Sequence, residues 1–306
     1  MKLGNEKQAI KEISKWTERY PTSVQEWMKL AQFFEFLGDG RKARKTYEKV
    51  LELDPDNADG LFKVNELGKK TSRTSDLSGL INDARIDIDD KIKSLIPILD
   101  KKDQQVEVEE MCLSLIQQYP ENAKTYALYG DALWLWGRVE DAIPQYEQSL
   151  KITKSVYQVW DQLMMALSIT GAFEHLSELS TEAQDYYPNQ AGPYYYKALS
   201  LSALGQFDEA MIINEEARFI SELAGGYMNE QSRILHAQIL DAQDQTTDAI
   251  DYINGLIEDN PRPSYYELLG DLQLKNGDKA AAQNSWNRCI ELGGDKKRIE
   301  LKIQSI

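Results

Sequence analysis

Eight landmark residues of this chain return at one fixed separation. Trp27, Leu30, Ala31, Phe34, Gly38, Ala43, Val50 and Pro55 are answered, in kind or by another apolar residue, at Trp160, Leu163, Met164, Leu167, Gly171, Leu176, Ala183 and Pro188. The stretches between carry the same pattern about every 34 residues, a period that belongs to stacked helical hairpins. Each hairpin of such a stack buries its apolar face only against its neighbours, so 306 residues need no single growing core. The repeat-defining residues are packing residues. They specify a scaffold and leave the partner open.

Aliphatic, Ala and aromatic residues recur at helical spacing, and Gly and Pro fall mostly between the helical stretches, which predicts an all-α chain. A formal charge of −15 argues against nucleic acid, whose phosphates need clustered Lys and Arg. It argues equally against an anionic membrane surface, and favours partners with basic residues. No apolar run is long enough to span a bilayer, and the opening Met1-Lys2-Leu3-Gly4-Asn5-Glu6 has no signal-peptide core. Cys112 and Cys289 lie far apart on core-facing positions, so they form no disulfide framework and leave the redox compartment open.

With Trp27 as position four, the first full unit runs 24–57. Ser23 and Glu26 form a candidate capping box, helix A covers about 24–37, Gly38-Asp39-Gly40 turns the chain, and helix B covers about 41–53 before Pro55. Ala31 and Ala43 sit where the two helices cross. The same register gives units at 58–88, 89–122, 123–156, 157–190, 191–229, 230–262 and 263–294. The unit 58–88 is degenerate, about three residues short and interrupted by the polar Lys69–Ser75 stretch; a flexible break is the competing reading. The unit 191–229 carries an insertion around Gly225-Gly226.

These residues resemble the tetratricopeptide repeat: a large residue, then Leu-Gly or Leu-Ala, an aromatic, a turn Gly, a small residue and a closing Pro. The resemblance covers almost the whole chain. It implies a right-handed superhelical α-solenoid of antiparallel helix pairs and supplies no catalytic residue. The order of units, the segment Ile92–Leu99 and the ending Glu291-Leu292-Gly293-Gly294 are similar to long exported repeat proteins of Bacteroidota. That likeness implies a periplasmic or envelope location and a scaffold role; without it the expected compartment is the cytoplasm.

The two ends differ. Asp295 is expected to cap a last helix, 295–306, whose stripe Ile299, Ile303 and Ile306 seals the array behind a basic outer face. At the other end, 1–23 reads as a lone helix B, with Gly4 as its turn and only Met1–Leu3 left of a helix A. Upstream repeats are therefore expected to be missing, leaving Ile13 and Trp16 as a sticky flank for self-association.

In stacks of this kind positions two, five, nine, twelve and thirteen of helix A face a concave groove. They are Gln25, Met28, Gln32, Glu35 and Phe36 in the first full unit. Toward the centre the apolar candidates are Trp134, Leu135, Met165, Ile169, Tyr195 and Leu199, with Asp131 and Asp161 among them. An extended peptide or partner helix with apolar anchors and basic residues would suit that face. The bland alternatives are burial against neighbouring helices A, or a slip of Trp134 and Leu135 into the core. In the run Tyr194-Tyr195-Tyr196 only one ring can face the groove; Tyr194 is assigned to the core, Tyr195 to the groove and Tyr196 to the flank. Carboxylate-clamping tetratricopeptide domains use Lys, Arg and Asn where this chain has Met28, Gln32, Phe62 and Glu66, so that chemistry is not expected. Pro97 and Pro144 should kink their helices, Pro97 on a groove position.

No enzymatic constellation emerges. His175 and His236 lie in different units with no second ligand at metal spacing, neither Cys has an activating His, and no phosphate loop or nucleophile elbow occurs. The expectation is a non-enzyme without cofactor or metal that binds a protein or peptide in its groove. The alternative is an architectural spacer that makes contact through its ends or convex face.

Overall fold

The computed structural model describes residues 3–67, 74–224 and 227–305. Most of the polar stretch 69–75, the Gly225-Gly226 insertion and Ile306 of the terminal stripe lie outside the described residues. The chain divides into two compact units, Met1–Ile152 and Thr153–Ile306.

The first unit holds α1 (Leu3–Arg19), α2 (Val24–Phe36), α3 (Gly40–Leu53), α4 (Ala58–Leu67), α5 (Thr74–Asn82), α6 (Ile88–Leu95), α7 (Gln105–Gln118), α8 (Ala123–Leu135) and α9 (Val139–Ile152). The second holds α10 (Tyr157–Thr170), α11 (Phe173–Tyr186), α12 (Ala191–Ala203), α13 (Phe207–Ala224), α14 (Tyr227–Ala242), α15 (Thr246–Asp259), α16 (Pro263–Lys275), α17 (Lys279–Glu291) and α18 (Lys296–Gln304). No strand occurs among the described residues. Within each unit helices A and B alternate, and pairs such as α2 with α3, α8 with α9, α12 with α13 and α16 with α17 pack as antiparallel neighbours.

The turn chemistry repeats. Gly38 adopts φ +73°, and the Asp39 N–H reaches back to the Phe34 carbonyl at 2.9 Å, closing α2 with a left-handed glycine cap. Asp39 then caps the next helix, its carboxylate accepting from the Lys42 N–H at 3.1 Å. Asp278 caps α17 and Asp295 caps α18 in the same way. Ser23 precedes α2 with an extended backbone but makes no side-chain cap, so the capping box expected there is absent.

Packing follows from residue size. Ala31 and Ala43 are fully buried in a cluster with Leu30, Phe34 and Tyr47. Glycine goes further where helix B carries a large aromatic: a Cβ on Gly130 would lie 2.6 Å from Tyr146 Cε1, and Gly270 stands in the same relation to Trp286.

Several expectations need correction. Gly4 lies inside α1 rather than in a turn, because one interior glycine costs only about 1 kcal/mol in a helix that also packs Ile10 and Ile13. Ile13 is half-buried and packs against the Leu30–Tyr47 cluster; Trp16 is exposed and stacks on Tyr20 at 5.8 Å. Tyr196 is buried and Tyr194 only half-buried, against the expected order, because α12 buries a second stripe, Gly192, Pro193, Tyr196 and Ser200, beside Ala198 and Leu201. Pro97 does not kink a helix. α6 ends at Leu95 and a 3-10 turn follows at Ile96–Ile98, since eight residues give too little helix to survive a lost hydrogen bond and a ring clash. Pro144 lies inside α9.

Candidate functional site

In the first unit α2, α4 and α6 are successive helices A, and between them they enclose a cavity of about 550 Å³. Met28, Gln32 and Glu35 line it from α2, Phe62, Lys63 and Glu66 from α4, and Lys93 and Ser94 from α6 with Pro97 beyond its end. The spacing explains the convergence. Residues three or four apart share one face of a helix, so each helix presents one stripe to the same space.

The charge of this wall is ordered. Lys63 Nζ pairs with Glu35 Oε1 and Glu66 Oε2, both at 2.9 Å. Burial opposes the Lys63 charge, but the bonds to Glu66 and Glu35 outweigh it and hold the ammonium above its ordinary pKa. Lys93 reaches Asp90 at 3.4 Å, while Asp59 has no charged partner among the described residues. Four carboxylates against two ammonium groups leave the cavity negative.

A device the sequence reading missed ties these acids to the core. The Tyr47 hydroxyl donates to Glu35 at 2.5 Å, the Tyr146 hydroxyl to Asp131 at 3.0 Å, and the Trp286 indole to Asp271 at 3.1 Å. In each case a buried aromatic of helix B reaches across the small residue of helix A and fixes an acid on its far face. Burial raises the Tyr47 and Tyr146 hydroxyls well above the usual tyrosine range, with the neighbouring acids adding to it, so both are donors. The available signal was a Gly or Ala at position eight, a large aromatic at position twenty-four and an acid at position nine or twelve.

The other predicted residues divide between the units. In the first, Leu135 is exposed, Asp131 and Trp134 are half-buried, and Leu133 rather than Trp134 enters the core. In the second, Ile169 is exposed, and Met165 and Asp161 are half-buried. The Asp161 carboxyl is raised by burial, partly countered by the Tyr157 hydroxyl donating at 3.4 Å. Tyr195 and Leu199 pack onto the cluster of Ala198, Leu201, Ala210, Leu235 and Ile239, and the Tyr195 ring meets Tyr196 edge-on at 5.2 Å. Phe36, Leu135 and Ile169 occupy position thirteen of their units, and all three are exposed.

No group of His, Cys, Asp and Glu suited to a metal ion occurs among the described residues. His236 stacks on Tyr252 at 4.3 Å and bonds Glu215 at 3.1 Å; burial lowers its pKa. Cys112 and Cys289 are buried, and burial pushes the Cys112 thiol up to about 12.

Family models described as tetratricopeptide repeat match residues 24–67, 123–155 and 234–288. The chain carries tetratricopeptide repeats. The first two segments begin where α2 and α8 begin, and the third starts within α14 and ends within α17. No curated protein matches the chain. A solved tetratricopeptide repeat protein from Parabacteroides merdae is similar at 13% identity, with 92% of this chain and 97% of that one covered and a TM-score of 0.54. A thermophilic tetratricopeptide repeat protein from Thermus thermophilus is similar at 15% identity, covering 60% and 97%, with a TM-score of 0.51. At such identities the likeness is one of fold. No described helix of the repeat array is long and apolar enough to cross a membrane.

Proposed function

We propose that the chain is a non-catalytic protein-interaction scaffold, and that the faces of its helices A turned away from the helices B hold a segment of a partner protein. The observation that carries this reading is the cavity between α2, α4 and α6, where inward positions of three repeats meet around Met28, Phe62 and Pro97. Apolar anchors set among ordered charges are what an extended peptide needs: side-chain pockets for affinity and fixed polar groups for register. The surplus of carboxylates selects a segment with basic residues. Trp134 and Leu135 with Asp131 extend the reading within the first unit; Met165, Ile169, Tyr195 and Leu199 with Asp161 do so within the second.

The test compares the parent chain with Phe62→Ala, Leu135→Asp and Ile169→Asp variants as baits for proteins in cell lysate, with helicity checked by circular dichroism. A protein retained by the parent and lost from at least one variant supports the proposal. Equal retention by all four chains refutes it. The architectural alternative predicts that outcome, together with loss of assembly when residues 295–306 are removed.

A further inference from the structure

Helix α13 departs from its neighbours in length and in surface. It has 18 residues, where the other helices B of its unit, α11, α15 and α17, have 13 or 14. Ala210, Asn214, Ala217 and Ser221 form its buried stripe. A second stripe faces outward: Ile212, Phe219 and Leu223 are 63%, 64% and 76% exposed. At 100° per residue these three lie within about 40° of one another, in a line about 16 Å long. Leu223 sits on the extra turn, so the added length extends the bare stripe.

Carboxylates border that stripe on both sides, Asp208, Glu215 and Glu222 along one flank and Glu209 and Glu216 along the other. Arg218 pairs with Glu215 and with Glu222, and Arg233 reaches Glu222 at 3.5 Å. Glu209 and Glu216 are exposed and have no ion pair among the described residues. An apolar line between acidic borders fits one occupant better than others. A second copy of the chain would set acid against acid, and an anionic membrane would be repelled. A helix with apolar residues every three or four positions and Lys or Arg beside them meets both the stripe and its borders.

We propose that the outer face of α13 docks an amphipathic, basic-flanked helix of a partner protein, at a surface separate from the helix A faces. The test uses two synthetic helices of about three heptads with the same Leu seam, one flanked by Lys and Arg and the other by Glu. Binding of each labelled peptide to the whole chain is followed by fluorescence anisotropy. The basic-flanked helix should bind, and the Glu-flanked helix should not. Phe219→Ser with Leu223→Ser should weaken binding by about thirtyfold or more while leaving the circular dichroism spectrum unchanged, because both side chains are exposed. Glu209→Lys with Glu216→Lys, whose stripe is intact, should shift preference toward the Glu-flanked helix. Unchanged binding by the stripe variant, or equal binding of both peptides by the parent, overturns the proposal. So does a parent chain that sediments as a dimer and becomes monomeric in the stripe variant, since a second copy would then cover the face.

Discussion

Adding a single methyl group at Gly130 tests the packing account closely. The position lies mid-helix in α8, where Gly→Ala ordinarily gains about 1 kcal/mol through helix propensity. Here the new Cβ would stand 2.6, 2.8 and 3.0 Å from Cε1, Cδ1 and Cζ of Tyr146, a fully buried ring. The ring must move, and overpacking of this kind costs about 1–3 kcal/mol. Its hydroxyl would also leave Asp131, now 3.0 Å away, at a further cost of about 1 kcal/mol. Setting about 2–4 kcal/mol against a gain of about 1, Gly130→Ala should destabilise by roughly 1–3 kcal/mol. Gly255→Ala is the internal control: it is mid-helix in α15, exposed, and its Cβ would meet nothing within 4 Å, so it should stabilise by up to about 1 kcal/mol. Repeat arrays need not unfold in one step, so urea titrations should be paired with hydrogen exchange resolved to α8–α9 and to α15. Gly130→Ala as stable as the parent, or more so, would refute the argument.

Three further outcomes follow from the same structure. Burial raises the Asp161 carboxyl, and a carboxyl raised in the folded state penalises folding wherever it is ionised there; Asp161→Asn should therefore be more stable than the parent at pH 7, with the gap closing toward about pH 3 in a pH series of urea titrations. Lys302 joins α18 to Glu267 at 3.0 Å and to Asp271 at 2.6 Å; Lys302→Ala should cost about 1 kcal/mol, seen as faster hydrogen exchange in α18, and high salt should shrink the difference. The Cys112 thiol, buried and pushed up to about 12, should resist iodoacetamide at about pH 8 in the folded chain and react once urea is added.

The fold was legible because repetition averages out local ambiguity. Trp27, Gly38 and Ala43 would decide little alone, yet their return at Trp160, Gly171 and Leu176 fixes a register, and the helix limits read for the first full unit lie within a residue or two of α2 and α3. Where the chain departs from its own period, the reading failed for physical reasons. The period predicts a kink at Pro97 because the repeat calls for a long helix A, while the preceding eight residues cannot sustain one past a proline. The tyrosine run was misassigned because helix A packs on two neighbours, its own helix B and the preceding repeat, so Tyr196 is buried on a face that a single hairpin would leave open. The bonds from Tyr146 to Asp131 and from Trp286 to Asp271 join residues 15 positions apart on different helices, beyond any helical periodicity. Met28, Gln32, Glu35, Phe62, Glu66 and Pro97 all fall on groove positions of the repeat, but their convergence on one cavity depends on how three short helices lean together.

Site-resolved photo-crosslinking in living cells tests the central claim most directly. A photoreactive phenylalanine analogue replaces Phe62, Leu135 or Ile169 on the helix A faces, and Val106 or Leu113, exposed residues of helix B α7, as outward controls. The account predicts that the helix A positions crosslink to the same partner protein, through a segment rich in Lys or Arg, while the α7 positions do not. Crosslinks confined to the α7 positions, or a partner joined equally from both sets, would contradict it.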